Sequence, residues 1–185
     1  MRVLTAIFAG ALLSVSGCNS ERADQTAAEN DLGSDVNIPA AVAPTATQAF
    51  VDAAAASDKF EIDSSKLAEN AGASEKVRTF AKQMISGHTN STAKLKSTLA
   101  EMTPPPVPND ALSAEQLATI DSLRGKKGAD FDAAYAAAQA QAHQKTLNVL
   151  KAYATSGDNP ALTAFAKDMI PVVTAHLNLA NGLAR

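Results

Sequence analysis

Four long stretches of this chain set apolar and small residues three and four positions apart, the repeat of one face of an α-helix, and no stretch alternates as a strand would. The first runs from about Thr45 to Ala71 with Phe50, Ala54, Ser57, Glu61, Ser65 and Ala68 on one face, and Gly72 stops it. The second runs from about Ser74 to Met102, striped by Val77, Ala81, Met84, His88, Ser91, Leu95 and Leu99, and halts before the prolines at 104–106 and 108. The third spans about Ala129 to Thr155, with Phe131, Tyr135, Ala138, Ala142, His143, Thr146, Leu150 and Tyr153 facing inward. Asp158-Asn159-Pro160 supplies a cap and a first-turn proline for the fourth, which carries Leu162, Ala166, Met169, Val173, His176, Ala180 and Leu183, with a kink expected at Pro171.

The connections turn these segments into an architecture. Two short turns, at 72–73 and 157–159, make two antiparallel helix pairs, and about 26 residues join the pairs. That connection has room for a short helix opening at Ser113, where Ser113-Ala114-Glu115-Gln116 has capping-box form, and closing near Gly125. Four long helices with one long crossover predict an all-α, four-helix ferritin-like bundle with a short extra helix between helices 2 and 3; an up-down bundle with a decorated loop is the alternative. Aromatic residues make up only 4% of the chain and Trp is absent, so small alanine-rich faces must let the helices approach closely. The 185 residues suffice for one such domain, 45–185, and the formal charge of −3 without a basic cluster excludes nucleic acid as a natural partner.

The beginning of the chain reads differently. Arg2 is followed by a mostly apolar run from Val3 to Val15, the length of a signal-peptide core and too short to span a bilayer. Val15-Ser16-Gly17-Cys18 resembles the bacterial lipobox, in which the cysteine becomes the acylated first residue; Cys18 is also the sole cysteine, so no internal disulfide forms. Residues 1–17 are thus expected to be a lipoprotein signal peptide, and 18–44 a lipidated Cys18 and a flexible tether lacking any aromatic residue. Such a tether reaches roughly 25–30 Å. Asn19, by resemblance to enteric sorting signals, favours the outer membrane, with the domain in the periplasm.

The chemistry concentrates in four polar side chains. His88, His143 and His176 each lie on or beside the apolar stripe of a different long helix, and Glu61 sits on the corresponding face of the first. Counted from the turns, their heights agree to within a few residues, where three residues correspond to about 4.5 Å of rise. Imidazole and carboxylate are ligands for zinc, copper or iron, and Ala54, Ser57, Ala142 and Ala180 leave room for them. Met84 and Met169 would add thioethers favouring copper, although methionine on such a stripe is ordinarily core. A hydrogen-bonded Glu–His cluster without metal satisfies the same pattern. Glu-x-x-His pairs of di-iron bundles are absent, since Ile85, Ala140 and Val173 precede the three histidines by three positions.

The chain resembles the family catalogued as domain of unknown function 4142, often labelled outer-membrane proteins, over roughly residues 48 to 184. The resemblance rests on Phe50-Val51, Glu61-Ile62, Lys66-Leu67-Ala68, Phe80-Ala81, Met84-Ile85 and His88. It continues through Phe131-Asp132, Tyr135, His143, Asp158, Phe165-Ala166, Pro171, His176-Leu177 and Ala180. It implies a ferritin-like bundle in an exported protein and assigns no activity. Glu61 and the three histidines match positions that the family carries, whereas Gly87 and Ala142 stand where its members commonly have Asp.

The function expected from these features is non-enzymatic: an envelope lipoprotein held to the membrane by its lipid, acting through binding or in a structural or stress role. The alternative is a metal-binding module using Glu61, His88, His143 and His176. An enzyme finds no support in a Ser-His-Asp pattern, a phosphate-binding glycine loop or a free thiol.

Overall fold

The computed structural model describes residues 45–183, and both the signal segment and Cys18 lie outside them. The described residues form five α-helices and no strand: α1 Ala46–Ala71, α2 Glu75–Ala100, α3 Ala114–Arg124, α4 Gly128–Ser156 and α5 Pro160–Leu183. None of these is long and apolar enough to cross a membrane.

Local chemistry fixes the ends. Thr45 and Ser74 accept from the backbone N–H of Gln48 and Val77, closing the first turns of α1 and α2. The capping box at Ser113 and Gln116 forms in full. Asn159 Oδ1 accepts from the N–H groups of Ala161 and Leu162, and Pro160 occupies the first turn of α5. α4 opens on Gly128 at φ +63°, a left-handed conformation that suits glycine. The Asp132 carboxylate reaches across to accept from the N–H groups of Ala73 and Ser74, tying the start of α4 to the turn between α1 and α2. α2 ends at Ala100, two residues short of the expected Met102, as the backbone turns toward the prolines. α5 continues through Pro171, whose ring is on the solvent side. The Lys167 carbonyl that loses its partner belongs to an exposed residue, where water can serve it.

Cross-helix contacts give the directions. Thr47 meets Tyr153 while Ser65 meets Tyr135, so α1 and α4 are antiparallel. Lys76 reaches Gly182 while Lys94 pairs with Asp168, so α2 and α5 are antiparallel too. With short turns joining α1 to α2 and α4 to α5, α2 and α4 run the same way, and the connection must travel the length of the body. It does so along α1: Gln48 and Asp52 bond the backbone of Val107 and Asn109, Gln116 reaches the Ala56 carbonyl, and Gly72 bridges Gly128 at the far end.

Among the described residues the core has two apolar clusters. One, at the Thr45 end, gathers Phe50, Val51, Leu95, Leu99, Leu162 and Phe165; the other, at the Gly72 end, gathers Val77, Phe80, Met84, Leu123, Phe131 and Tyr135. The buried polar side chains are Asp58, Glu61, Ser64, Ser65, His88, Ser91, Gln139 and His143, and they fall in the waist between the clusters.

Candidate metal centre

Equal height on neighbouring helices becomes contact in the waist. The rings of His88 on α2, His143 on α4 and His176 on α5 form a nearly equilateral triangle, with centroids 5.4, 5.4 and 5.5 Å apart. One ligand nitrogen from each lies within 4.8 Å of the others. Nε2 of His88 and Nε2 of His143 are 3.4 Å apart. Two imidazoles on one tetrahedral ion, at metal–nitrogen distances of about 2.0–2.1 Å, would stand about 3.3–3.4 Å apart.

Two of the rings are held from behind. Nδ1 of His88 is 2.8 Å from Oδ1 of Asp58, a buried carboxylate that also accepts from Thr92 Oγ1. Nδ1 of His143 donates to the carbonyl of Gln139 at 2.8 Å. A proton on Nδ1 of the neutral His143 ring leaves its Nε2 with a lone pair facing His88, and His88 offers the same lone pair once its Nε2 proton is displaced. Carboxylate and carbonyl partners of this kind orient the histidines of metal sites. His176 is only half-buried, and its Nδ1 is buried without a hydrogen-bond partner.

Charge follows from burial. Burial pushes His143 down from 6.5 to about 3 and His176 to about 4, with the positive charge on His88 adding to both, so these two rings are neutral at physiological pH. Burial also works against charge on His88, but the hydrogen bond to Asp58 and the charges of Glu61 and Asp58 outweigh it and raise its pKa. Glu61 rises from 4.5 to about 7 because burial disfavours its ionised form, an effect that the His88 charge partly offsets.

The three histidines therefore meet, whereas Glu61 takes a different place. Its Oε1 is 3.5 Å from Nδ1 of His143, the nitrogen facing away from His88, and neither carboxylate oxygen has a hydrogen-bond partner among the described residues. Met84 belongs to the apolar cluster at the Gly72 end, and Met169 lines a small cavity beside His88 and His176. Ala54 borders that cavity, but Ser57 bonds Thr146, Ala142 faces a larger hollow among α1, α3 and α4, and Ala180 packs at the Gly72 end.

The sequence reading missed Asp58 and Gln139. Both carry a helical signal: Asp58 lies four after Ala54 and three before Glu61, and Gln139 lies four before His143. Asp58 orients His88 from another helix.

Fold and site define an all-helical protein whose waist gathers three imidazoles, two buried and one half-buried, with one nitrogen of each within 4.8 Å of the others. The chain belongs to the family described as "Domain of unknown function (DUF4142)", which it matches over residues 34–183. Its fold is similar to that of CopM, solved in the Cu(II)-bound form, with a TM-score of 0.63 at 16% identity over 74% of this chain and 94% of that one. No curated protein matches it.

Proposed function

We propose that this chain is a lipid-anchored protein of the bacterial envelope whose ferritin-like bundle binds a divalent transition-metal ion through His88, His143 and His176. The observation that carries the metal reading is the triangle of ring nitrogens, with two of its rings held from behind by Asp58 and the Gln139 carbonyl. Copper(II) is the first candidate and zinc the second. Imidazole suits both, and the general affinity order favours copper(II). The Cu(II)-bound form of CopM, a protein of similar fold, supports the same choice. Three protein ligands leave a fourth coordination position for water. Glu61, behind His143, acts on that ring rather than on the ion. The antiparallel order of the long helices and the full-length crossover support the ferritin-like arrangement. The role is binding, with stress tolerance or surface maintenance as its setting.

The test is elemental analysis of the protein purified from the envelope, beside a variant with His88, His143 and His176 all changed to Ala. Near-stoichiometric copper or zinc in the parent and none in the variant is the expected result. Equal metal in both, or none in either, leaves a hydrogen-bonded polar cluster in its place. The anchor is tested by Cys18→Ser, which should abolish acyl labelling and membrane retention together; persistence of both would remove the lipid from the proposal.

A further inference from the structure

The sides of the waist are closed in different ways. Toward α1, hydrogen bonds cross from Asp58 to Thr92 on α2, at 2.9 Å, and from Ser57 to Thr146 on α4, at 2.7 Å. On α4 and α5, Leu147, Leu150, Phe165 and Ala166 belong to one buried apolar cluster, and Tyr135 and Ala180 to the other. The seam between α2 and α5 has neither kind of closure. Gly87 and His176 are half-buried there, and Val172 is 38% exposed. With His88 and Met169 these residues line a cavity of about 20 Å³, which is room for about one water molecule.

The three rings differ in the same sense. His88 is tied to Asp58 and His143 to the Gln139 carbonyl, both at 2.8 Å. Nδ1 of His176 is buried without a partner among the described residues, and the Cε1–Nε2 edge of the ring lies against α2 at residue 87, in the seam itself. Turning this ring aside breaks no hydrogen bond at Nδ1, whereas moving either of the others breaks one to a buried group.

We propose that the metal ion enters and leaves through the seam between α2 and α5, with His176 as the exchange ligand: His88 and His143 receive the ion as a fixed pair, and the His176 ring turns aside to let it pass and closes on it afterwards. This rests on reading the trio as a metal site. The competing route lies on the opposite side. A larger hollow of about 420 Å³ among α1, α3 and α4 reaches Ala54, Thr146 and Leu150, which also line the small cavity. There the bond between Ser57 and Thr146 stands in the way.

Two valines, each 38% exposed, give a matched comparison in the full chain: Val172 at the seam and Val149 in the larger hollow. Val172→Phe should slow copper(II) association and dissociation into excess chelator by the same factor, about tenfold, and leave affinity unchanged, because one barrier is crossed in both directions. Val149→Phe should leave both rates as in wild type. Slowing in Val149→Phe, or wild-type rates in Val172→Phe, would overturn the passage while leaving the metal site standing. Failure of wild type to bind copper(II) or zinc would remove the metal reading and the passage with it. A second measurement uses the metal-free wild type. Diethyl pyrocarbonate acylates neutral imidazoles that solvent reaches, and His143 and His176 are both neutral at physiological pH, so access sets their order. His176 should be modified well before His143, and more slowly in Val172→Phe. Should Val172→Phe not fold, the order in wild type decides: His143 reacting with or before His176 would overturn the proposal.

Discussion

At the Thr45 end of the bundle Phe50 stacks on Tyr153 with ring centroids 4.0 Å apart, and at the Gly72 end Phe131 stacks on Tyr135 at 5.8 Å. Between them the packing changes character: Glu61, His88 and His143 are each at most 4% exposed, and neither oxygen of Glu61 finds a partner. The ends gain free energy from apolar area removed from water, about 25 cal/mol per Å². The waist gives part of that gain away, because burying polar groups without complete pairing is unfavourable. Such an arrangement makes sense where the ends supply the stability and the waist holds a ligand. Changes at the ends should therefore act on folding, and changes in the waist on binding and on pH dependence.

The largest effect is expected at an end. Phe131 is fully buried among Phe80, Met84 and Tyr135, and Phe131→Ala should destabilise the protein by about 3–5 kcal/mol through lost burial and the cavity left behind. Chemical denaturation measures this, and copper bound per folded molecule should remain as in wild type. A folded variant with diminished copper would break the separation of ends from waist.

A waist substitution should have the opposite sign. Folded Glu61 keeps its proton up to about pH 7, whereas its ordinary value is 4.5. As pH rises between those values the unfolded chain loses that proton and the folded chain does not, so stability falls, levelling off above 7. Glu61→Gln keeps the shape without the charge. It should match wild type near pH 4 and be more stable above pH 7 by about 3 kcal/mol at most. His143 and His176 act in the other direction: lowered to about 3 and about 4, they take up protons on unfolding as pH drops below 6.5, so stability also declines in acid. That decline is common to both proteins and cancels in the difference. Urea unfolding from pH 4 to 8 in the presence of a chelator makes the comparison, and a flat difference would show that the Glu61 carboxylate is not held in an apolar setting.

The ends and the waist were also unequally legible in the sequence. Caps at Thr45, Ser74, Ser113 and Asn159 mark four of the five helix starts, and glycines after α1 and α4 with the 3–4 spacing of large apolar residues mark the rest of the long helices, because each signal is local. Equal counting from the turns brings His88, His143 and His176 to one depth, since rise per residue is constant. Partners at that depth are harder to read. In α4 the run from Ala133 to Ala142 is mostly alanine, so inner and outer faces look alike and Gln139 does not stand out. In α1, Ser57 and Asp58 both fit the repeat within its tolerance, and only the direction of α2 shows that Asp58 faces His88. The close approach of the His176 ring to the backbone of Gly87 joins residues 89 positions apart on different helices, and no periodicity encodes it.

Asp58 offers the smallest and sharpest probe of the waist. Its carboxylate accepts from His88 Nδ1 and from Thr92 Oγ1, and its charge helps keep the His88 pKa raised. Asp58→Asn retains an acceptor oxygen and nearly the same volume, so stability should change little. What is lost is the negative charge behind the ring. His88 becomes a weaker ligand at Nε2, and copper(II) affinity, compared at a pH where this ring is neutral in both proteins, should fall by about tenfold, the lower end of the effect of such partners. The pH profile separates electrostatics from geometry. In the metal-free protein the His88 pKa should drop in the variant, so fewer protons are displaced when copper(II) binds near neutral pH, and proton release measured in two buffers of different ionisation enthalpy should diminish. Unchanged proton release and unchanged affinity together would mean that the waist holds its histidines by packing alone, as the ends hold their aromatic rings.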